Sequence, residues 1–111
     1  MDERRERLGR NEALYREVNE RLKELGESFS LITETADFVC ECGVGTCAAP
    51  IRMTLEQYER VRSNPHWFVV VPGHEILDIE SVIEEHEGWN VIEKHPGEPA
   101  DLAAQADPRA R

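Results

Sequence analysis

The sequence predicts an α+β domain in which a long N-terminal helix, a cysteine-bearing β-hairpin and a small, mainly antiparallel sheet are covered by two further helices. Three observations lead to this prediction. Apolar positions in the first 25 residues recur every three or four positions, as in a helix, and later segments alternate or are β-branched, as in strands. All three cysteines of the 111-residue chain lie between positions 40 and 47.

Length and composition limit the chain to one compact domain. With 111 residues, 40% of them hydrophobic, it can form one core but not two. No run approaches the roughly 18 to 20 apolar residues of a membrane span, and the start, MDERRERLGR, lacks the apolar region of a signal peptide. We therefore expect a cytoplasmic protein without a membrane segment, whose cysteines are thiols or metal ligands rather than disulfides.

The formal net charge of -10 is unevenly distributed. Residues 1 to 25 are balanced, and the excess of acidic side chains lies downstream. Because binding to nucleic acid depends on cations that neutralise phosphates, an acidic body disfavours it. The basic segment RRERLGR is predicted to be a solvated helix end.

The first predicted element is a helix over residues 1 to 26, which packs on the remaining domain. Gly26 is expected to end it. Glu12 and Arg16, four residues apart, are expected to pair on its exposed side. The inward stripe is expected to consist of Leu8, Asn11, Leu14, Tyr15, Val18, Leu22 and Leu25.

Residues 27 to 95 are predicted to form the body of the domain. Phe38, Cys40 and Cys42 alternate with other residues as in a strand, and the glycines of GVG allow the chain to turn. A second strand over residues 50 to 53 is expected to return beside the first. The irregular segment before the hairpin is expected to supply core side chains from Phe29, Leu31 and Ile32.

The second predicted helix follows the hairpin directly. Thr54 and Gln57 match a capping box at the start of TLEQYERVR, and Leu55, Tyr58 and Val61 share one face of that helix. This face is predicted to be buried.

The last part of the chain is predicted to contain a strand, a helix and a strand. The β-branched run WFVVV indicates a buried strand over residues 67 to 71, and WNVIEK indicates another over residues 89 to 94. Between them, a helix is predicted over residues 78 to 87, with Ile79, Val82 and Ile83 inward and Gly88 as its stop. The tail, residues 96 to 111, is expected to be disordered.

The cysteine spacing C-x-C-x4-C predicts one metal ion per chain, which we expect to be zinc, with iron as the open alternative. Side chains two apart in a strand point to one side, so Cys40 and Cys42 can present both sulfurs to one point, and the glycine-bearing loop can bring Cys47 there. Zinc takes sulfur and nitrogen ligands tetrahedrally and offsets the repulsion between thiolates. The alternative is three free cysteines that act as small core residues.

A fourth ligand is needed, and four histidines compete for this position. We predict His74, because it follows the Pro-Gly turn of VVVPGHE at the end of a strand. His66, His86 and His95 remain open as alternatives, and the alternative role for His74 is a hydrogen bond to a carbonyl or to Glu75.

Several segments together resemble a family of small actinobacterial proteins to which we attach no activity. The segments are NEALYREVNE, CEC with a third cysteine five residues on, LEQYERVR, FVVVPGHE and the closing VIEK. The likeness covers approximately residues 3 to 94. It implies that the cysteines and the PGHE segment form one unit, and it implies no site residue or reaction.

The function predicted from these features is a binding or regulatory module with a structural zinc site formed by Cys40, Cys42, Cys47 and His74. Its expected partner is another protein, and the N-terminal helix allows a monomer or a homodimer. A zinc enzyme or a thiol-based redox sensor using the same cysteines is the first alternative, although the chain has no HExxH, P-loop or GxSxG motif. A zinc-ribbon-like nucleic-acid binder is the second alternative. Phe38 could stack on a base, but the lack of Lys or Arg between Phe38 and Arg52 argues against this function.

Overall fold

In the computed structural model, which describes residues 3–28, 35–47 and 49–110, α-helices and β-strands form an α+β fold that begins with a long helix, as predicted. No helix in these ranges is both long enough and apolar enough to span a membrane. Phe29, Leu31 and Ile32 lie outside the described residues. The elements are α1 (Glu3–Ser28), β1 (Thr35–Val39), β2 (Pro50–Thr54), α2 (Leu55–Arg62), β3 (Trp67–Val70), β4 (Glu80–His86), β5 (Trp89–Lys94), α3 (Glu98–Gln105) and a 3-10 turn (Pro108–Ala110).

The strands form two antiparallel sheets, which correspond to the β-hairpin and the small antiparallel sheet that we predicted. Strands β1 and β2 make a hairpin in which Phe38 lies opposite Ile51, and the second sheet has the order β3-β5-β4. The two sheets adjoin just after β1, where the Glu41 N–H donates to the Val69 carbonyl at 2.8 Å. This hydrogen bond places the cysteine-bearing segment against β3.

The apolar core lies between the sheets and α2. Thr54 and Gln57 form the predicted capping box, and Leu55, Tyr58 and Val61 are buried as predicted. The Tyr58 ring stacks on Phe38 from the hairpin, with ring centroids 4.5 Å apart. Buried side chains of the second sheet complete this core: Phe68, Val69, Val70, Trp89, Val91 and Ile92.

Helix α1 packs on the domain through polar side chains, and the predicted apolar stripe is wrong in part. Asn11 and Tyr15 face the domain, but Leu14 and Leu25 are 57% and 56% exposed. The fully buried residues of α1 include Glu12, Arg16 and Asn19. The helix also continues beyond Gly26 to Ser28.

Glu12 and Arg16, which we expected to pair on the exposed side of α1, bind other partners in the interior. Lys94 Nζ lies 2.5 Å from both carboxylate oxygens of Glu12 and 2.7 Å from Glu80 Oε1. The Arg16 guanidinium donates to two backbone carbonyls, at 2.6 and 2.7 Å, and covers the Phe68 ring. These partners come from distant parts of the chain, so the helical spacing alone did not reveal them.

The predicted helix over residues 78 to 87 is wrong, since β4 occupies most of this range. His86 pairs with Trp89, which leaves Glu87 and Gly88 as a two-residue hairpin loop with Gly88 at φ +86°. Gly88 thus closes a hairpin instead of a helix. A β-bulge between Val82 and Glu84 interrupts the pairing of β4 with β5.

The tail predicted to be disordered contains α3 and the 3-10 turn. Ala100 and Ala103 are buried, and the Asp107 carboxylate accepts a hydrogen bond from the buried Arg62 guanidinium. Small apolar side chains and the ion pairs of Asp107 and Arg109 therefore fix a segment whose composition is typical of disorder.

Candidate metal centre

Cys40 and Cys42 follow β1 directly, although the predicted strand extended through both. The Cys40 N–H donates to the Ala49 carbonyl at 2.9 Å, which continues the hairpin by one residue. The next N–H, of Glu41, turns to β3 instead. The two cysteines are fully buried, and the backbone between them is fixed from two sides.

Cys47 enters the same region through a tight turn. Its N–H donates to the Val44 carbonyl at 2.9 Å. The residue before this turn has to be glycine, because Gly43 has φ +81° and a Cβ atom there would lie 2.7 Å from the Leu8 carbonyl oxygen. Cys47 is partly exposed, in contrast to the other two cysteines.

His74 is delivered by a turn at the end of the WFVVV segment. Its N–H donates to the Val71 carbonyl at 2.9 Å, and Gly73 between them has φ +94°. Proline followed by a glycine with positive φ is typical of a type II turn. The Glu75 carboxylate supports this turn by accepting from the Gly73 N–H and from the Asn90 side chain, both at 2.7 Å.

The structure brings together the four residues that the sequence singled out. The three Sγ atoms and a ring nitrogen of His74 all lie within 4.8 Å of one another. Cys40 Sγ and Cys47 Sγ are 3.5 and 3.6 Å from His74 Nδ1. In a tetrahedral site with Zn–S bonds of about 2.3 Å and Zn–N bonds of about 2.1 Å, neighbouring sulfur and nitrogen ligands lie about 3.6 Å apart. The spacing is thus compatible with one zinc ion at the centre of the group.

The surroundings of the sulfurs also suit a bound cation. Burial is the main cause that raises the pKa of Cys40 and of Cys42, so a nearby positive charge is needed to hold both as thiolates. The Val71 N–H donates to Cys40 Sγ at 3.2 Å, and the backbone of Val44 bonds Cys42. Such N–H donors stabilise thiolate ligands.

The other three histidines lie outside this group, within the part of the chain that the structure describes. The His86 ring stacks on Trp89 and its Nε2 lies 2.8 Å from Glu84. His95 Nε2 lies 3.0 Å from Ser81 Oγ, and the His66 carbonyl accepts from the Lys94 N–H. Of the four histidines, all of which the structure describes, only His74 lies beside the cysteines. Its binding to a metal ion is a prediction.

Glu41 has a structural part in the site that the sequence analysis did not predict. Its carboxylate is fully buried and accepts hydrogen bonds from Asn19 and Tyr58 at 2.8 Å and from the Val69 N–H at 3.0 Å. These three donors come from α1, α2 and β3, respectively. An acidic residue enclosed between two buried cysteines was the only local signal of this role.

Comparison with known proteins identifies no relative, because no protein-family model, no curated protein and no solved structure matches this chain. The resemblance to small actinobacterial proteins therefore stays an expectation from the sequence.

Proposed function

We propose that this protein binds one zinc ion per chain through Cys40, Cys42, Cys47 and His74, and that the ion has a structural role. The proposal rests on the convergence of four ligand atoms, from three separate segments of the chain, within 4.8 Å of one another. Three thiolates and one imidazole make a closed tetrahedral set, which is typical of structural rather than catalytic zinc.

The position of the site explains what a structural ion contributes here. Cys40 and Cys42 leave the β1–β2 hairpin, Cys47 leads back into it, and His74 follows β3 of the second sheet. An ion bound to all four residues joins the two sheets at the point where their backbones adjoin. Since small domains gain folding free energy from metal binding, zinc is expected to stabilise the whole domain.

We further propose that the zinc-bound domain acts as a protein-interaction module. The outer face of α1 supports this part, because Leu14, Val18 and Leu25 are all at least 39% exposed. The partner is either another protein or a second copy of the chain. The acidic surface and the net charge of -10 do not favour a nucleic acid.

A thiol-based redox sensor is the second candidate, and the unequal burial of the cysteines favours it over a zinc enzyme. Cys47 is partly exposed, so peroxide can reach it more easily than the buried Cys40 or Cys42. Oxidation of Cys47 and one neighbour to a disulfide, with peroxide reduced to water, would remove two zinc ligands. A zinc enzyme would also need a general base. Glu41 and Glu75, the acidic residues next in sequence to the cysteines and to His74, both accept hydrogen bonds from other protein groups, which does not favour that role.

Native mass spectrometry of protein purified without added metal tests the zinc proposal directly. We expect one zinc ion per chain in the native protein and its loss in Cys42→Ser and His74→Ala. A matched control is His95→Ala, which removes a histidine that contacts Ser81 and should leave the zinc content unchanged. A native protein free of zinc, and unable to take it up after refolding with zinc sulfate, would contradict the proposal.

The same spectra report whether the chain is a monomer or a dimer. For the redox candidate, the expected result is zinc release by peroxide that reverses with a thiol reductant and fails in Cys47→Ser. Zinc that stays bound in the presence of peroxide would contradict the redox candidate and would leave the structural role as the only proposed function of the site.

A further inference from the structure

Helix α1 lies directly on the segment that carries Cys40 and Cys42. Three of its polar side chains, Asn11, Tyr15 and Asn19, follow one another at intervals of four residues and therefore share a face of the helix. All three bind backbone groups between residues 39 and 45. We call these three side chains the helix clamp.

Asn19 holds the backbone immediately before Cys40. Its Nδ2 donates to the Val39 carbonyl at 2.8 Å, and its Oδ1 accepts from the Val39 N–H at 2.8 Å. The side-chain amide thus pairs with Val39 as a neighbouring strand would. The same Nδ2 lies 2.8 Å from Glu41 Oε2, so Asn19, which is fully buried, fixes the residue on each side of Cys40.

Asn11 and Tyr15 hold the loop between Cys42 and Cys47. Asn11 Nδ2 donates to the Gly43 carbonyl at 2.9 Å, and the Tyr15 hydroxyl donates to the Gly45 carbonyl at 2.9 Å. Helix and loop are in close contact here, because a Cβ atom on Gly43 would also approach Glu12 Cγ to 2.8 Å. The loop can move away from α1 only by breaking these contacts.

We propose that Asn11, Tyr15 and Asn19 are positioning residues of the metal site, so that zinc binding and the docking of α1 stabilise each other. This inference rests on the proposed zinc site. The ion holds residues 40 to 47 from the side of His74, and the helix clamp holds the same segment from the side of α1. Each therefore pre-organises the backbone that the other binds, and the coupling is reciprocal by thermodynamic linkage.

The polar character of the docking face strengthens the coupling. Apolar contacts tolerate small shifts of the loop, whereas hydrogen bonds to individual carbonyls weaken steeply when the geometry changes. The clamp carbonyls belong to Val39, Gly43 and Gly45, each within three residues of a cysteine. A change in loop shape upon zinc release is thus transmitted to α1.

The experiment compares the zinc affinity of the full-length native chain with that of the double variant Asn11→Ala, Tyr15→Phe. These substitutions remove two clamp hydrogen bonds and leave the buried Asn19 in place, so the fold is expected to be retained. Zinc affinity is measured by competition with a chromophoric chelator, and the visible spectrum of the cobalt-substituted protein reports ligand geometry. We expect the zinc affinity to fall by about 10-fold to 100-fold.

Glu20→Gln provides the matched control. Glu20 ties α1 to Arg62 and Arg109, and these contacts lie outside the cysteine-bearing segment. The variant is expected to weaken the packing of the same helix while the zinc affinity and the cobalt spectrum stay at the native values. Equal losses of zinc affinity in the control and in the double variant, at equal loss of stability, would overturn the proposal in favour of a merely structural role.

Amide hydrogen exchange tests the reciprocal direction in the native chain. Chelation of zinc is expected to accelerate exchange more in the first two thirds of α1, which carry the helix clamp, than in α3, and this difference is expected to shrink in the double variant. If the native chain binds zinc but the double variant binds it equally well, the coupling is overturned while the zinc site stands. If the native chain binds no zinc, the proposed function fails first and this inference fails with it.

Discussion

Helices α1 and α2 bury different kinds of side chain. Three of the four buried residues of α2, Leu55, Tyr58 and Val61, are apolar or aromatic and the fourth is Arg62, whereas the buried residues of α1 include Glu12 and Arg16. Both helices pack on the same domain. The apolar face of α2 follows the pattern that sequence periodicity detects, and the polar face of α1 does not.

The difference concerns specificity as well as stability. Apolar burial stabilises a helix roughly in proportion to the area removed from water, with little demand on geometry. Buried charges and amides lose their hydration, and only well-placed hydrogen-bond or ion-pair partners offset this cost. The packing of α2 therefore depends mainly on buried apolar area. The packing of α1 depends on individual hydrogen bonds and ion pairs, and the loss of one of these is costly. The predictions below test this contrast from the largest expected effect to the smallest.

Lys94→Met is expected to be the most destabilising of these changes. It removes the cation that lies between Glu12 and the buried Glu80 carboxylate, and removal of one partner from a buried ionic group costs about 3 to 5 kcal/mol. Urea unfolding of the zinc-loaded protein measures the loss. Lys23→Met is the control, because Lys23 pairs with the half-exposed Glu27 and Glu59 and should cost less than about 1 kcal/mol. Equal costs for the two variants would contradict the contrast.

Leu55→Ala tests the apolar side of the comparison. Leu55 is buried at the start of α2 and reaches Gly26 of α1, so truncation leaves a cavity and is expected to cost about 2 to 3 kcal/mol. Leu55→Met, which conserves the side-chain volume, should cost less than about 1.5 kcal/mol. A Leu55→Ala variant as stable as the native protein would show that buried apolar area does not stabilise the packing of α2.

The buried ionic group also predicts a pH dependence. Burial, with a contribution from the neighbouring Glu80 carboxylate, raises the pKa of Glu12 from 4.5 to about 8 in the folded protein. Between these values the folded state keeps a proton that the unfolded chain releases. The resulting stabilisation is complete below pH 4.5 and is lost as the pH rises through 8.

The free energy of unfolding is therefore expected to fall by up to about 1.4 kcal/mol per pH unit within this window. Glu12→Gln, which cannot ionise, should remove this slope. Unfolding is measured with zinc chelated in both proteins, so that titration of the thiols affects both equally. Identical slopes in the native chain and the variant would show that Glu12 does not carry the proton.

The smallest effect is expected on the outer face of α1. Leu14→Ser and Val18→Ser change exposed positions and should alter the free energy of unfolding by no more than about 0.5 kcal/mol. A larger loss that depends on protein concentration would indicate that a second copy of the chain covers this face. Measurements of unfolding at two protein concentrations distinguish these outcomes.

Local signals explain why much of the fold could be predicted. The capping box of Thr54 and Gln57 marked the start of α2, and β-branched runs marked β3 and β5. The closeness of Cys40, Cys42 and Cys47 in the chain indicated the metal site, and the Pro-Gly turn before His74 indicated the fourth residue. These signals are local, whereas the meeting of His74 with the cysteines depends on the contact between the two sheets.

The parts that could not be predicted depend on pairing between elements and not on the pattern within one element. Ile79, Val82 and Ile83 have helical spacing, but pairing with β5 makes residues 80 to 86 a strand. The buried face of α1 becomes recognisable only when Lys94 and the carbonyls of Pro65 and Ala103 are placed beside it. Tertiary contacts override local propensity in both cases.

The β-bulge in β4 affects the tendency of the protein to aggregate at high concentration. Strand β4 lies at the edge of its sheet, where an unbroken row of N–H and C=O groups would template the addition of a foreign strand. The extra residue, Ile83, disrupts that row and leaves Glu84 and Glu85 beyond it. The inserted residue thereby discourages self-association into fibrils.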